Sequence, residues 1–198
     1  MITLERKNYI MYNLVPYDHP ILKKECMDYP FDEAERYIQT KTEFGDGFDG
    51  LISPYKLAQT LVDIMVQKKG FGLSANQIGL PYKVFAMEGF PERYVIFNPV
   101  LVHVSDTEVE IEEGCLSCPG VQLNIKRPES IRLRFKGPNG ETFTKPFEGL
   151  SARAVLHEMD HGMGIPFLKK VSKLKGDMAI KKANKKYNVD YVYHRMVK

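Results

Sequence analysis

Leu57, Leu61, Ile64 and Met65 recur at three- and four-residue steps after Ser53-Pro54. That spacing draws an apolar stripe along one side of a helix. Ser53 suits the N-cap, and proline suits the first helical position. Lys69-Gly70 predicts the helix end, with glycine as the cap. A second helix is expected over 151–162, ended by Gly162 and Gly164. Ala152, Val155, Leu156 and Met159 make it largely apolar, which predicts burial. A last helix is expected from Lys175 into the lysines at 181–186. Between the helices the pattern shortens to strands at 83–87, 94–97, 100–104 and 108–112. Asn98-Pro99 is expected to close the second of these. Residues 130–135 alternate apolar and polar, as in a half-buried strand. Gly137-Pro138-Asn139-Gly140 reads as a hairpin turn, with 142–144 returning. The first 50 residues read as irregular, broken by Pro16, Pro20, Pro30 and the glycines from 45 to 50. Helix, many short strands, helix indicates an α+β fold. Its expected form is short antiparallel sheets packed around a buried helix, with a C-terminal helix.

The 198 residues suffice for one domain with a real core, so 1–198 reads as a single unit. No apolar run approaches a membrane span, and residues 1–7 hold no signal-peptide core. An intracellular, cytoplasmic protein without a membrane partner is expected. Cys26, Cys115 and Cys118 do not make a disulfide framework and read as thiols or ligands. The net charge of +3 is unevenly spread. Lys169, Lys170, Lys173, Lys175, Lys181, Lys182, Lys185 and Lys186 crowd one region, with Asp177 as its only acid. A solvated helix face is one reading, and a contact with RNA phosphates is the other. No aromatic-basic motif adds to the charge, and nothing indicates specific DNA binding.

His157-Glu158-Met159-Asp160-His161 sits in the buried helix. Histidines four apart lie on one face and can share a metal ion. Glu158, beside the first, can reach a water on that metal. The third ligand is not local. Zinc peptidases that extend this motif need a third histidine where this chain has Phe167, and phenylalanine cannot ligate. His19, His103 and His194 lie in no metal spacing. Cys115, in Glu113-Gly114-Cys115-Leu116-Ser117, is the better candidate and leaves a fourth position open. A closed site with Cys118 would leave Glu158 without a task, and Cys118 fits better as a small apolar filler. Gly70-Phe71-Gly72-Leu73-Ser74-Ala75-Asn76-Gln77 lacks the glycines and lysine of a nucleotide loop. It reads instead as backbone that something approaches closely, with Gln77 as an amide donor.

Taken together, these three stretches make the chain resemble the peptide deformylase family. That family carries Gly-x-Gly-Leu-Ala-Ala-x-Gln, Glu-Gly-Cys-Leu-Ser and Gln-His-Glu-x-Asp-His in this order and at roughly this spacing. The likeness takes in Asn98-Pro99 and Gly149-Leu150-Ser151-Ala152-Arg153, and covers most of residues 14–175. Three departures stand out: Ser74 for Ala, Leu156 for Gln, and Gly162 for Leu. None removes a ligand. Residues 41–50 read as an insertion relative to compact members.

The resemblance implies metal-dependent removal of the N-formyl group from nascent polypeptides that begin with formyl-methionine. It implies Cys115, His157 and His161 as ligands and Glu158 as the proton carrier. Gln77 and the Leu116 N–H would be the oxyanion donors. Phe71, Ile111, Ala154 and His157 would line the methionine slot. The peptide would pair as an added strand against the main chain of Gly70, Phe71, Gly72 and Gly114. Asp160 is expected to orient a histidine. The expected metal is iron(II), with zinc, nickel or cobalt compatible with the donor set. The lysine-rich end would meet the ribosome.

Overall fold

A computed structural model of the chain describes residues 14–31, 38–40, 50–89 and 92–187. The proline-rich start forms a 3-10 turn, Pro20–Lys23. Ile38–Thr40 (β1) and Gly50–Ile52 (β2) pair as a small antiparallel ribbon. Residues 41–49 of the expected insertion, and His194, lie outside the described residues.

Pro54–Gln67 is α1, and the Ser53 hydroxyl accepts from the Lys56 N–H at 3.2 Å, as the N-cap reading requires. Its other end corrects the expected glycine cap. Lys68 is the C-cap, and Lys69 takes the left-handed turn at φ 55°. Gly70 serves a different purpose. A Cβ there would lie 2.5 Å from Leu116 Cδ1, so glycine lets two loops meet.

Gly72–Ser74 (β3), Val84–Met87 (β4), Tyr94–Val104 (β5), Ser130–Lys136 (β8) and Thr142–Glu148 (β9) form one antiparallel sheet in the order β3-β4-β5-β8-β9. Between β5 and β8 in sequence, Glu108–Cys115 (β6) and Cys118–Pro128 (β7) make a separate hairpin. Two expectations change here. Asn98-Pro99 does not end a strand. β5 runs through it with a register shift between Phe97 and Val100, and Asn98 adopts φ 50°. The Asn98 side chain accepts from the Tyr29 N–H at 2.7 Å and donates to the Tyr29 carbonyl at 2.9 Å. A bulge fixed by that clasp replaces the expected stop. The second change is β7, which the sequence reading left without an element. It begins at Cys118-Pro119-Gly120, which resembles a turn, and then buries Val121, Leu123, Ile125 and Arg127 in strict alternation.

Gly149–Gly162 is α2 and Lys173–Tyr187 is α3, each starting two residues before its expected first residue. α1 and α2 cover opposite faces of the β3-β4 end of the sheet. Val84 and Ala86 join the α1 cluster with Leu73, while Phe85 and Met87 join the α2 cluster. A strand covered on both faces has no polar side, and all four residues of β4 are buried. α3 lies on β7, where Ala183 is buried with Val121, Leu123 and Ile125. The α+β expectation therefore holds, with the motif helix α2 buried beneath the sheet. Among the described residues, no helix is long and apolar enough to cross a membrane.

Candidate active site

β3 is the floor of the site. Its residues alternate, so Leu73 points to α1 while Gly72 and Ser74 both face α2. On α2 the residue opposite them is Glu158. A Cβ on Gly72 would collide with Glu158 Oε1. The Ser74 hydroxyl lies 2.7 Å from Glu158 Oε2 and 3.1 Å from the Glu158 carbonyl oxygen. Just past β3, a 3-10 turn over Ala75–Ile78 carries Asn76 and Gln77. Asn76 Nδ2 donates to the His161 carbonyl at 2.7 Å. Gln77 Oε1 accepts from the Ser74 N–H at 2.9 Å, which fixes the amide orientation. Its Nε2 is left to donate to Ser117 Oγ at 3.1 Å and to approach Cys115 Sγ at 3.6 Å.

Cys115 ends β6, just past a register shift at Gly114. Its sulfur lies 3.3 Å from His161 Nε2. Ligand atoms of Cys115, His157 and His161 all lie within 4.8 Å of one another, and all three residues are buried. The described residues hold no other such group. Cys118 is not part of it. It sits in the apolar cluster of the β6-β7 hairpin, as its filler reading requires. Phe167, the residue that removed the peptidase reading, is buried with its ring 5.8 Å from that of His157.

Glu113 is the functional residue the sequence reading passed over, although it opens the second motif. Its carboxylate receives the Arg127 Nε at 2.6 Å, the Arg127 Nη2 at 3.0 Å and the Arg153 Nη1 at 2.5 Å. The same carboxylate lies 3.1 Å from His157 Nδ1 and so turns Nε2 of that ring toward the cysteine side. Asp160 does not orient a histidine, contrary to expectation. It pairs with Arg127 at 2.8 Å and Lys170 at 3.3 Å. Arg127 thus ties β7 to both β6 and α2. The available signal was an arginine at an inward position of an alternating strand, because a buried charge requires a partner.

These contacts shift the local acidities. Burial would raise the Glu113 carboxyl, but His157 and Arg127 hold it down at about 2. Burial disfavours a charged His157, yet Cys115 and Glu113 on either side push it up to about 10. Burial and the neighbouring His157 push His161 well below its usual range. Burial raises the Glu158 carboxyl, opposed by His157 and Ser74. A thiol, two imidazoles and a carboxylate converge on one buried point. The residues fit a divalent metal held by sulfur and two nitrogens.

A cavity of about 430 Å³ opens beside this cluster. Gly70, Phe71, Gly72, Gln77, Gly114, Cys115, Leu116, Ala154, His157 and Glu158 line it. Ile111 is not among the lining residues. It is half-buried on β6, three residues before the Gly114 that does reach the cavity. Glu112 to Cys115, at the end of β6 beside the register shift, are the β6 residues that reach it.

A buried donor set at the mouth of a cleft, with a carboxylate beside it on an α+β scaffold, marks a metal-dependent hydrolase. The family model for polypeptide deformylase matches residues 11–177. A peptide deformylase of Wolbachia pipientis is 34% identical over 164 residues, covering 76% of this chain and 90% of its own. One from Agrobacterium fabrum is 38% identical over 135 residues, covering 66% and 79%. Among solved structures, peptide deformylase from Thermus thermophilus superposes with TM-score 0.71 at 30% identity, over 89% of this chain and 94% of that one. The Ehrlichia chaffeensis enzyme in complex with actinonin gives TM-score 0.70 at 30% identity, over 88% and 96%. The chain belongs to the peptide deformylase family.

Proposed function

We propose that this cleft carries the family's reaction, hydrolysis of the N-formyl group from the N-terminal formyl-methionine of nascent polypeptides, with release of formate. The observation that carries the residue assignment is the convergence of Cys115, His157 and His161 next to Glu158. When bound there, a divalent metal supplies a Lewis acid that acidifies an attacking water and polarises the formyl carbonyl.

The chain's own groups do the rest. Glu158 takes the proton of the attacking water and passes it to the leaving amine as the carbon–nitrogen bond breaks. The Gln77 amide, already aimed by Ser74, and the Leu116 N–H donate to the developing oxyanion. Each donor contributes about 2–4 kcal/mol in the transition state. Glu113 holds the His157 ring in its ligating orientation. The substrate backbone adds as a strand along the main chain of Gly70, Phe71, Gly72 and Gly114. Phe71, Ala154 and the His157 ring receive the methionine side chain. Phe71 is 49% exposed, which leaves apolar surface for an incoming residue to cover.

Iron(II) is the proposed native metal, with zinc, nickel or cobalt as substitutes for the same donor set. The lysines of α3, exposed on the surface, are proposed to meet ribosomal RNA in the cytoplasm. Co-sedimentation with ribosomes that weakens steeply with salt would support that contact, and salt-independent binding would refute it.

The test of the reaction is formate release from a formyl-Met peptide under anaerobic conditions with added metal. Glu158→Gln should retain the metal and lose turnover. No formate from the loaded wild-type protein would overturn the assignment. Full turnover by Glu158→Gln would remove Glu158 as the proton carrier.

A further inference from the structure

We propose that Ser74 is a positioning residue for Glu158, holding Oε2 by its hydroxyl so that Oε1 is the oxygen presented to the cleft. This rests on Glu158 being the proton carrier.

The resemblance places alanine, which has no donor, at this position in the usual family motif, and this chain has serine. Ser74 and Glu158 are 3% and 4% exposed, so water does not compete for either group. The Ser74 hydroxyl has one proton and two acceptors in reach. The carboxylate oxygen at 2.7 Å is closer than the carbonyl at 3.1 Å and carries more charge. The other carboxylate oxygen lies over Gly72, which borders the cavity. Gly72 and Ser74 are two apart on β3 and therefore share a face. One supplies space beneath Oε1, and the other supplies a donor to Oε2. A carboxylate tied at one oxygen keeps its second oxygen in a fixed direction, which is what proton transfer over a hydrogen-bond distance requires. The backbone of Ser74 does the same for Gln77, but any residue could supply that N–H. The hydroxyl is the part that the side chain alone provides.

The experiment uses metal-loaded wild type, Ser74→Ala, Ser74→Thr and Glu158→Gln. Metal content, Tm, kcat and KM for a formyl-Met peptide are measured on each. Infrared difference spectra with carbon-13 glutamate label report the carboxylate stretch. Ser74→Ala is expected to retain the metal and keep KM within about twofold, while kcat falls about tenfold. Ser74→Thr keeps the hydroxyl and is expected to recover most of that loss. The carboxylate band should move in Ser74→Ala. Unchanged kcat in Ser74→Ala, or an unmoved band, overturns the proposal whatever Ser74→Thr does. A fall in kcat that tracks metal loss overturns it too. If Glu158→Gln stays active, the underlying reading fails instead, and the two failures are separable.

Discussion

Replacing Glu113 with glutamine should cost this protein much of its stability without changing its shape. The carboxylate accepts two bonds from Arg127 and one from Arg153 and faces His157, with every partner buried. Its carboxyl stands at about 2 against an ordinary 4.5. That difference corresponds to roughly 3 kcal/mol in favour of the ionised form in the fold. Breaking a buried pair while leaving its partner charged costs about 3–5 kcal/mol by a separate route, so the two figures agree. For a chain of this length, each kcal/mol moves Tm by about 2–4 °C, which gives a fall of roughly 6–20 °C for Glu113→Gln. The assay is thermal unfolding by circular dichroism, run with chelator so that metal does not contribute. Glu108→Gln is the control, because its partner Lys126 is exposed and water screens the pair. A folded-state acidity below the unfolded one stabilises above about pH 4.5 and is lost as pH falls toward 2. The gap between wild type and Glu113→Gln should therefore narrow on acidification. A Tm change below about 3 °C at neutral pH, or a gap that widens in acid, would refute this account of the buried network.

Gly72→Ala should fold yet lose about a hundredfold in kcat, because the new Cβ displaces the Glu158 carboxylate; steady-state kinetics would show it, and near-normal turnover would contradict it. Stripping the metal should lower Tm by several degrees, reversibly, since ligand binding to the native state alone contributes about 2.7 kcal/mol at a hundred times Kd; an unchanged melting curve would show that the site is not filled. Asn98→Ala should destabilise by about 2–3 kcal/mol through loss of the Tyr29 clasp and left-handed strain, and Asn98→Gly should recover the strain component; equal loss in both, by urea denaturation, would remove the strain argument. Burial pushes the Cys26 thiol up to about 11, so iodoacetamide at pH 8 should leave it unmodified in the native protein; rapid labelling there, read by mass spectrometry, would disprove its enclosure.

What could be read from the sequence was whatever obeys a local period or a local motif. Leu57, Leu61, Ile64 and Met65 announce α1 because a helix repeats over its own neighbours. His157 and His161 announce a metal face for the same reason. What escaped reading depends on distant residues. Lys69 rather than Gly70 takes the left-handed turn, and Gly70 lies against Leu116, which is in another loop. Asn98 looks like a stop until Tyr29 is seen to hold it in mid-strand. Pro119-Gly120 hid the start of β7, although Val121, Leu123 and Ile125 alternate plainly. Asp160 shares a helix with two histidines, which suggests one of them as its partner, whereas its partner Arg127 lies 33 residues away.

Order of assembly follows from how far apart the joined residues are. Ser74 meets Glu158 across 84 residues, Asn76 meets His161 across 85, and Cys115 meets His161 across 46. Loops of that span close slowly. During synthesis Cys115 is made before α2, whose His157 and His161 complete its buried cluster. A chain cut short before residue 149 would be inert, with a thiol open to oxidation. The site is complete only when α2, the last of its parts in the sequence, packs against residues laid down long before it.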